Sequence, residues 1–127
     1  MTAQSDSTVT RIVSSFKYAF EGVAYVFRTQ RNAQIHAVIS VAVVGLGLWL
    51  SIELRDWAVL VLAMMIVWVA EIFNTSIEAH IDMTAPDKNS NAKIAKDAAA
   101  AAVLVGAIGS VIIGLLILGP PLVDKIF

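Results

Sequence analysis

The sequence predicts an all-α membrane protein: an N-terminal amphipathic helix lying in the membrane interface, then three transmembrane helices, in one domain over residues 1–127. Three observations predict it. The chain is 58% hydrophobic and 15% charged, against about 45–50% and about 25% in soluble domains. The excess is gathered into three long runs rather than spread. A two-faced, aromatic-rich segment precedes them.

Residues 1–7 are polar and Ser/Thr-rich and read as a disordered tail. The first ten residues hold no apolar core, so no cleavable signal peptide is expected and insertion falls to the helices themselves. Residues 8–30 form the amphipathic helix. Ile12, Phe16, Phe20, Val23 and Phe27 recur every three or four positions, while Arg11, Ser14, Ser15, Lys17, Glu21 and Arg28 fall largely elsewhere. Such a helix lies in the interface plane; a soluble core helix is the other reading, but the runs that follow leave no soluble core for it to join.

The three spans are placed at residues 32–51, 56–81 and 97–118. At about 1.5 Å of rise per residue, each is long enough for a hydrocarbon core of about 30 Å. A very short loop near 52–55 joins the first two, a polar loop at 83–92 joins the last two, and Gly119-Pro120-Pro121 is expected to stop the last helix. Trp49 and Trp57 bracket the first loop as an interfacial aromatic belt would, and Trp68 is read as packing. Arg11, Lys17, Arg28 and Arg31 before the first span, with Lys88, Lys93 and Lys96 around the second loop, outnumber Arg55 and Lys125. The positive-inside rule then puts the N-terminus and second loop in the cytoplasm. Ala98, Ala102, Gly106, Ser110 and Gly114 step by four along the last span, a small-residue ladder that suits close helix contact within or between chains.

Net charge is −1 and cysteine is absent. The first gives nucleic-acid binding no support, and the second excludes disulfides, thiol catalysis and Cys-based metal sites.

Chemistry concentrates in the second span. After an apolar start it reads Glu71-Ile72-Phe73-Asn74-Thr75-Ser76-Ile77-Glu78-Ala79-His80-Ile81-Asp82. On a helix Glu71, Asn74, Thr75, Glu78 and Asp82 fall within about 100° of arc. Each carboxylate in a membrane is expensive, near +2.5 to about +3.5 kcal/mol at the helix centre and less toward the interface. Protonation or a bound cation lowers that cost, and oxygen ligands near the cytoplasmic side suit Mg²⁺ delivered with a nucleotide. A polar seam pairing with Arg or Lys on other helices is the alternative, and Asp82, at the helix end, could simply be solvated. His80 lies opposite the stripe, and His36 reads as a packing or interface residue. Lys96 could reach a phosphate and Asp97 could orient a lysine or substrate group; juxtamembrane anchoring is the plainer role for both.

The run Glu71 to Ala79 followed by Asp82, with Lys96-Asp97 before a small-residue stretch, resembles the prokaryotic diacylglycerol kinases and their undecaprenol kinase relatives, over about residues 11–118. The resemblance implies a homotrimer in the bacterial cytoplasmic (inner) membrane that uses ATP, with Mg²⁺, to phosphorylate a lipid alcohol. Diacylglycerol is the substrate first expected, giving phosphatidic acid, and undecaprenol is the alternative. By the same resemblance Glu71 is the general base and contacts the lipid; Glu78 is a metal and nucleotide ligand; Asn74, Asp82, Asp87, Lys96 and Asp97 are nucleotide-site positions; Arg11 and Tyr18 contact nucleotide, Arg11 also lipid. Gln30 stands where the enteric members carry a metal-holding glutamate, so it can offer a carbonyl oxygen but no charge, which bears on the number of bound ions. Arg28-Thr29-Gln30-Arg31-Asn32 before Ile35-His36 looks closer to the undecaprenol kinase branch. No Walker-type or kinase-type Gly-rich loop is present. From another class, a small proton-coupled transporter also relies on an intramembrane Glu, but would favour a midplane site open to both faces. A purely structural oligomeric protein is the third reading.

Overall fold

The computed structural model describes residues 7–87 and 89–127 and is built from four helices: α1 (Thr8–Thr29), α2 (Arg31–Leu50), α3 (Leu54–Thr84) and α4 (Ser90–Ile126). No strand is present among the described residues. Of the tail placed at residues 1–7, only Ser7 is described; Lys88, counted in the charge argument, also lies outside the described residues.

Local chemistry sets the helix ends. Ser7 caps α1 by accepting the Thr10 amide at 3.3 Å, which satisfies one of the orphan N–H groups of the first turn. A single extended residue, Gln30, separates α1 from α2. The break leaves carbonyls at the end of α1 without helical partners, and Gln34 Nε2 donates to one of them, that of Phe27, at 3.1 Å. Ser51 ends α2 in the left-handed region, with φ 54° and ψ 47°. The Ser51 amide donates to Leu48 O and the Ile52 amide to Gly47 O, the paired closure of a Schellman motif. Asn89 caps α4 through its side chain, which accepts the Ala92 amide at 2.8 Å.

α2, α3 and α4 are each long and apolar enough to cross a membrane, so the chain is a multi-pass membrane protein. α3 is the central helix and packs chiefly on α4. Gly106 and Ser110 of the small-residue ladder serve that contact. A Cβ at Gly106 would meet Ile66 at 3.6 Å and Val67 at 3.8 Å, and Ser110 Oγ donates to Ala63 O at 3.0 Å. Ala98 and Ala102 of the same ladder are exposed, so the ladder is only partly used within the chain. At the end near Ser51, Leu50, Leu60 and Leu118 form a buried apolar cluster. α1 leaves Phe16, Phe20 and Phe27 exposed, an apolar face suited to the membrane interface; Val26 and Ala33, around its junction with α2, are buried.

The last helix corrects an expectation. Pro120 and Pro121 lie inside α4, which continues to Ile126. Proline's fixed φ suits a helix; what it lacks is an N–H, so the cost falls on the carbonyls of Leu116 and Ile117, four residues earlier. Packing holds the segment beyond them. Leu122 joins the apolar cluster, and Lys125 Nζ donates to Trp49 O at 2.8 Å. α3 and α4 also extend past the expected spans 56–81 and 97–118, because their polar ends stay helical outside the apolar run. The linker between them is therefore only residues 85–89.

Candidate functional site

Two clusters occupy the half of the molecule nearest that linker. The first is the acidic stripe of α3. Glu71 is 1% exposed, Thr75 5% and Asn74 7%, the only buried polar or charged residues among those described. Glu78 is half-buried and Asp82 exposed. The stripe thus runs from the protein interior to the surface, as a face facing neighbouring helices should. Two local bonds order it. Thr75 Oγ1 donates to Glu71 O at 2.9 Å. Asn74 Nδ2 donates to Glu78 Oε1 at 3.3 Å. Glu71 Oε1 and Asn74 Oδ1 are buried without a hydrogen-bond partner.

Sequence reasoning missed one residue here. His36, read as packing, brings its Nε2 to 3.5 Å from Glu71 Oε1. The signal was present in the hairpin register. His36 lies fifteen residues before Ser51 and Glu71 eighteen after Glu53, so both sit about 22–27 Å from the tight turn on antiparallel helices.

The second cluster surrounds the α3–α4 linker. Lys96 and Asp82 form an ion pair across it, and Lys93 pairs with Asp97 one turn away. Asp82, Asp87, Lys93, Lys96 and Asp97 line one cavity of about 520 Å³. Acidic and basic groups thus alternate around an open, polar hollow, a surface able to receive phosphates on its lysines.

Arg11 and Tyr18 are exposed on α1, and neither makes a side-chain hydrogen bond or ion pair to the stripe among the described residues. Gln30 is half-buried at the α1–α2 break, and its side chain makes no capping bond. His80 is exposed, in keeping with its angular position off the stripe. Trp49 and Trp57 flank the first turn as expected. Trp57 packs inward on Gly47, while Trp49 lies under Lys125, whose Nζ is 4.7 Å from the ring centre. Trp68 is half-buried.

No three His, Cys, Asp or Glu side chains converge among the described residues. An ion of the Mg²⁺ type keeps waters and binds through one or two carboxylates plus substrate phosphates. Glu78, with the unpartnered Asn74 Oδ1 beside it, is a donor set of that size.

A second, apolar cavity of about 360 Å³ begins at His36. It runs between α2, α3 and α4 past Val43, Val67 and Val111 to Leu118. The serine hydroxyls along it are spent on backbone carbonyls, Ser40 on His36 O and Ser110 on Ala63 O. The slot reaches the buried carboxylate only through His36, whose Nε2 lies 3.5 Å from Glu71 Oε1; Glu71 itself does not line it.

Residues 17–118 match the family model described as prokaryotic diacylglycerol kinase. The chain is 44% identical over 114 residues to a diacylglycerol kinase of Synechocystis sp., covering 89% of this chain and 65% of that protein. It therefore spans slightly less than two thirds of that relative's length. It is 39% identical over 112 residues to an undecaprenol kinase of Bacillus subtilis, covering 88% of this chain and 91% of that one. It is 27% identical over 110 residues to a diacylglycerol kinase of Escherichia coli, covering 87% and 90%.

Proposed function

The chain belongs to the prokaryotic diacylglycerol kinase family, and from that membership we propose that it transfers the γ-phosphoryl group of ATP to the primary hydroxyl of a membrane lipid. Diacylglycerol, giving phosphatidic acid, is the substrate proposed first. The relative named undecaprenol kinase, matched over 91% of its length, favours undecaprenol as the second reading. The observation that carries the proposal is the buried carboxylate of Glu71, 3.5 Å from the His36 imidazole that lines the apolar slot, with a polar hollow lined by Lys93 and Lys96 farther along α3 and α4.

Phosphoryl transfer needs positioning, charge neutralisation and a proton acceptor. Glu71 would accept the hydroxyl proton as the lipid oxygen bonds to the γ-phosphorus. The bond from that phosphorus to the β-γ bridging oxygen breaks, and ADP leaves with its electron pair. Glu78 lies seven residues nearer the linker, about 10 Å along the helix, where with Asn74 it would hold Mg²⁺. A divalent ion there supplies charge neutralisation on the phosphates. Lys96 adds positive charge toward the transferred group. Asp82, Asp87 and Asp97 set the orientation of that lysine and of the nucleotide. Arg11, Tyr18 and Gln30 on the amphipathic helix would close over the nucleotide and admit lipid from the side, Arg11 meeting both substrates and Gln30 adding a neutral oxygen ligand.

The proposal extends to the setting. The chain sits in the bacterial inner membrane with its N-terminus and the α3–α4 linker in the cytoplasm, where ATP is. It assembles as a homotrimer, to which the outward apolar faces of α2 and α4 are open. Purified protein in phosphatidylcholine bilayers with Mg-ATP is expected to phosphorylate diacylglycerol or undecaprenol, assayed side by side. Glu71→Gln is expected to abolish turnover and leave the oligomer intact. Near-normal turnover in that variant removes Glu71 from the mechanism, and proton flux without ATP use favours a transporter.

A further inference from the structure

We propose that His36 is a positioning residue for Glu71, its imidazole Nε2–H holding the Oε1 oxygen so that the other carboxylate oxygen faces the reacting hydroxyl. The inference rests on the kinase reading above and adds a residue to it.

The argument is one of supply and demand. Glu71 Oε1 is buried with no hydrogen-bond partner. A buried acceptor left unsatisfied costs about 1–3 kcal/mol, more when charged, so a donor is required. The polar neighbours on α3 are committed elsewhere: Thr75 Oγ1 to the Glu71 backbone carbonyl, Asn74 Nδ2 to Glu78. No lysine or arginine pairs with Glu71 among the described residues; the one cation-capable group within 4 Å is His36. Its Nε2 stands 3.5 Å from Oε1, slightly long for a hydrogen bond. Catalytic hydrogen bonds are commonly long before substrate binds and tighten in the working complex.

The position of His36 gives the contact a purpose. Its side chain is 19% exposed and lines the apolar slot at the end nearest Glu71. Ser40 Oγ ties down the His36 carbonyl at 2.7 Å, which firms the backbone under the ring. A carboxylate free to rotate about its terminal torsion would present either oxygen to the substrate, since that torsion is broad. One oxygen held from α2 leaves one orientation, and the proton acceptor is fixed across two helices rather than by α3 alone. A histidine with Nε2 protonated does this in its neutral form as well as its charged one.

The test uses full-length protein in phosphatidylcholine bilayers with Mg-ATP and, separately, a short-chain diacylglycerol and undecaprenol. His36→Leu is expected to lower kcat by about 10- to 100-fold with the KM for ATP unchanged. His36→Gln, whose amide donor lies at nearly the reach of Nε2, should recover most of that loss. The second readout needs no turnover. The chain has two histidines, and in ¹⁵N-labelled protein Glu71→Gln should move the His36 ring resonances while leaving those of His80 in place. A kcat within twofold of the parent in His36→Leu overturns the proposal. So does an equal loss in His36→Gln, which marks a merely structural role, or a His36 resonance indifferent to Glu71→Gln. Failure of the kinase reading is separate: the parent then phosphorylates neither lipid, whatever the resonances show.

Discussion

Asn74 gives its amide nitrogen to Glu78 at 3.3 Å, yet leaves its own carbonyl oxygen buried and unmatched. A residue kept for stability would not be built that way, since an orphaned acceptor in the interior is a net cost. Asn74→Leu removes the orphan and fills the same volume with apolar atoms. The variant is expected to unfold at the parent's temperature or above it, while kcat/KM for Mg-ATP falls at least tenfold because Glu78 loses its donor and the nucleotide site an oxygen. Thermal unfolding in detergent and steady-state kinetics read the two effects separately. A variant that is less stable and fully active would assign Asn74 to packing.

The ion pair between Lys96 and Asp82 bridges the ends of α3 and α4, and its structural value is modest. Both partners are open to solvent, and exposed pairs of this kind contribute about 0–1 kcal/mol. Lys96→Met should therefore melt close to the parent. If the lysine serves phosphate, the same change lowers turnover more than tenfold. The exchange Lys96→Asp with Asp82→Lys restores the attraction but moves the positive charge to the other helix. Activity is expected to stay low in the exchanged protein; recovery to the parent's rate would make the pair a structural tie and nothing more.

How much of this was legible beforehand depended on which physical effect fixed each feature. The spans were legible because membrane crossing demands a run of apolar residues, and that demand is local. The stripe from Glu71 to Asp82 was legible because a helix converts spacing into a shared face. His36 was not, since its meaning comes from the partner helix; nothing within six residues of it in sequence points to Glu71. The register of the α2–α3 hairpin carries that information, and it became usable only once Ser51 was known to turn the chain so tightly. The persistence of α4 through Pro120 and Pro121 was hidden for a related reason. Proline's local cost is fixed, while the compensation from Leu122 and Lys125 is tertiary. Partial use of the small-residue ladder, with Gly106 and Ser110 packed against α3 and Ala98 exposed, was likewise beyond what periodicity alone decides.

Gly47 supplies a sharp test of packing. A Cβ there would come within 2.8 Å of Cη2 and 2.9 Å of Cζ2 of Trp57, and 3.2 Å of Ile52. The half-buried indole must shift to admit it. Gly47→Ala is expected to destabilise the protein by about 1–3 kcal/mol, the usual range for overpacking. Adding Trp57→Phe, which removes both offending ring atoms, should restore most of the loss. The double-mutant comparison is made by denaturant unfolding in mixed micelles. Equal instability in the single and double variants would place the strain elsewhere.

The tie between Lys125 and Trp49 makes an expectation that separates the two ends of the molecule. Lys125 Nζ donates to the Trp49 carbonyl and sits above the same ring, joining the end of α4 to the first turn. The carbonyl bond and the exposed cation–π contact each contribute about 0.5–1 kcal/mol. Lys125→Met should therefore lower unfolding stability by about 1 kcal/mol and let the residues after Pro121 fray, seen as faster amide exchange from Leu122 to Phe127. The acidic stripe lies at the far end of α3, beside the other linker, so kcat and both KM values are expected to stay near the parent's. A large drop in turnover without a change in exchange would mean that this end of the bundle communicates with the site by a route the helix contacts do not supply.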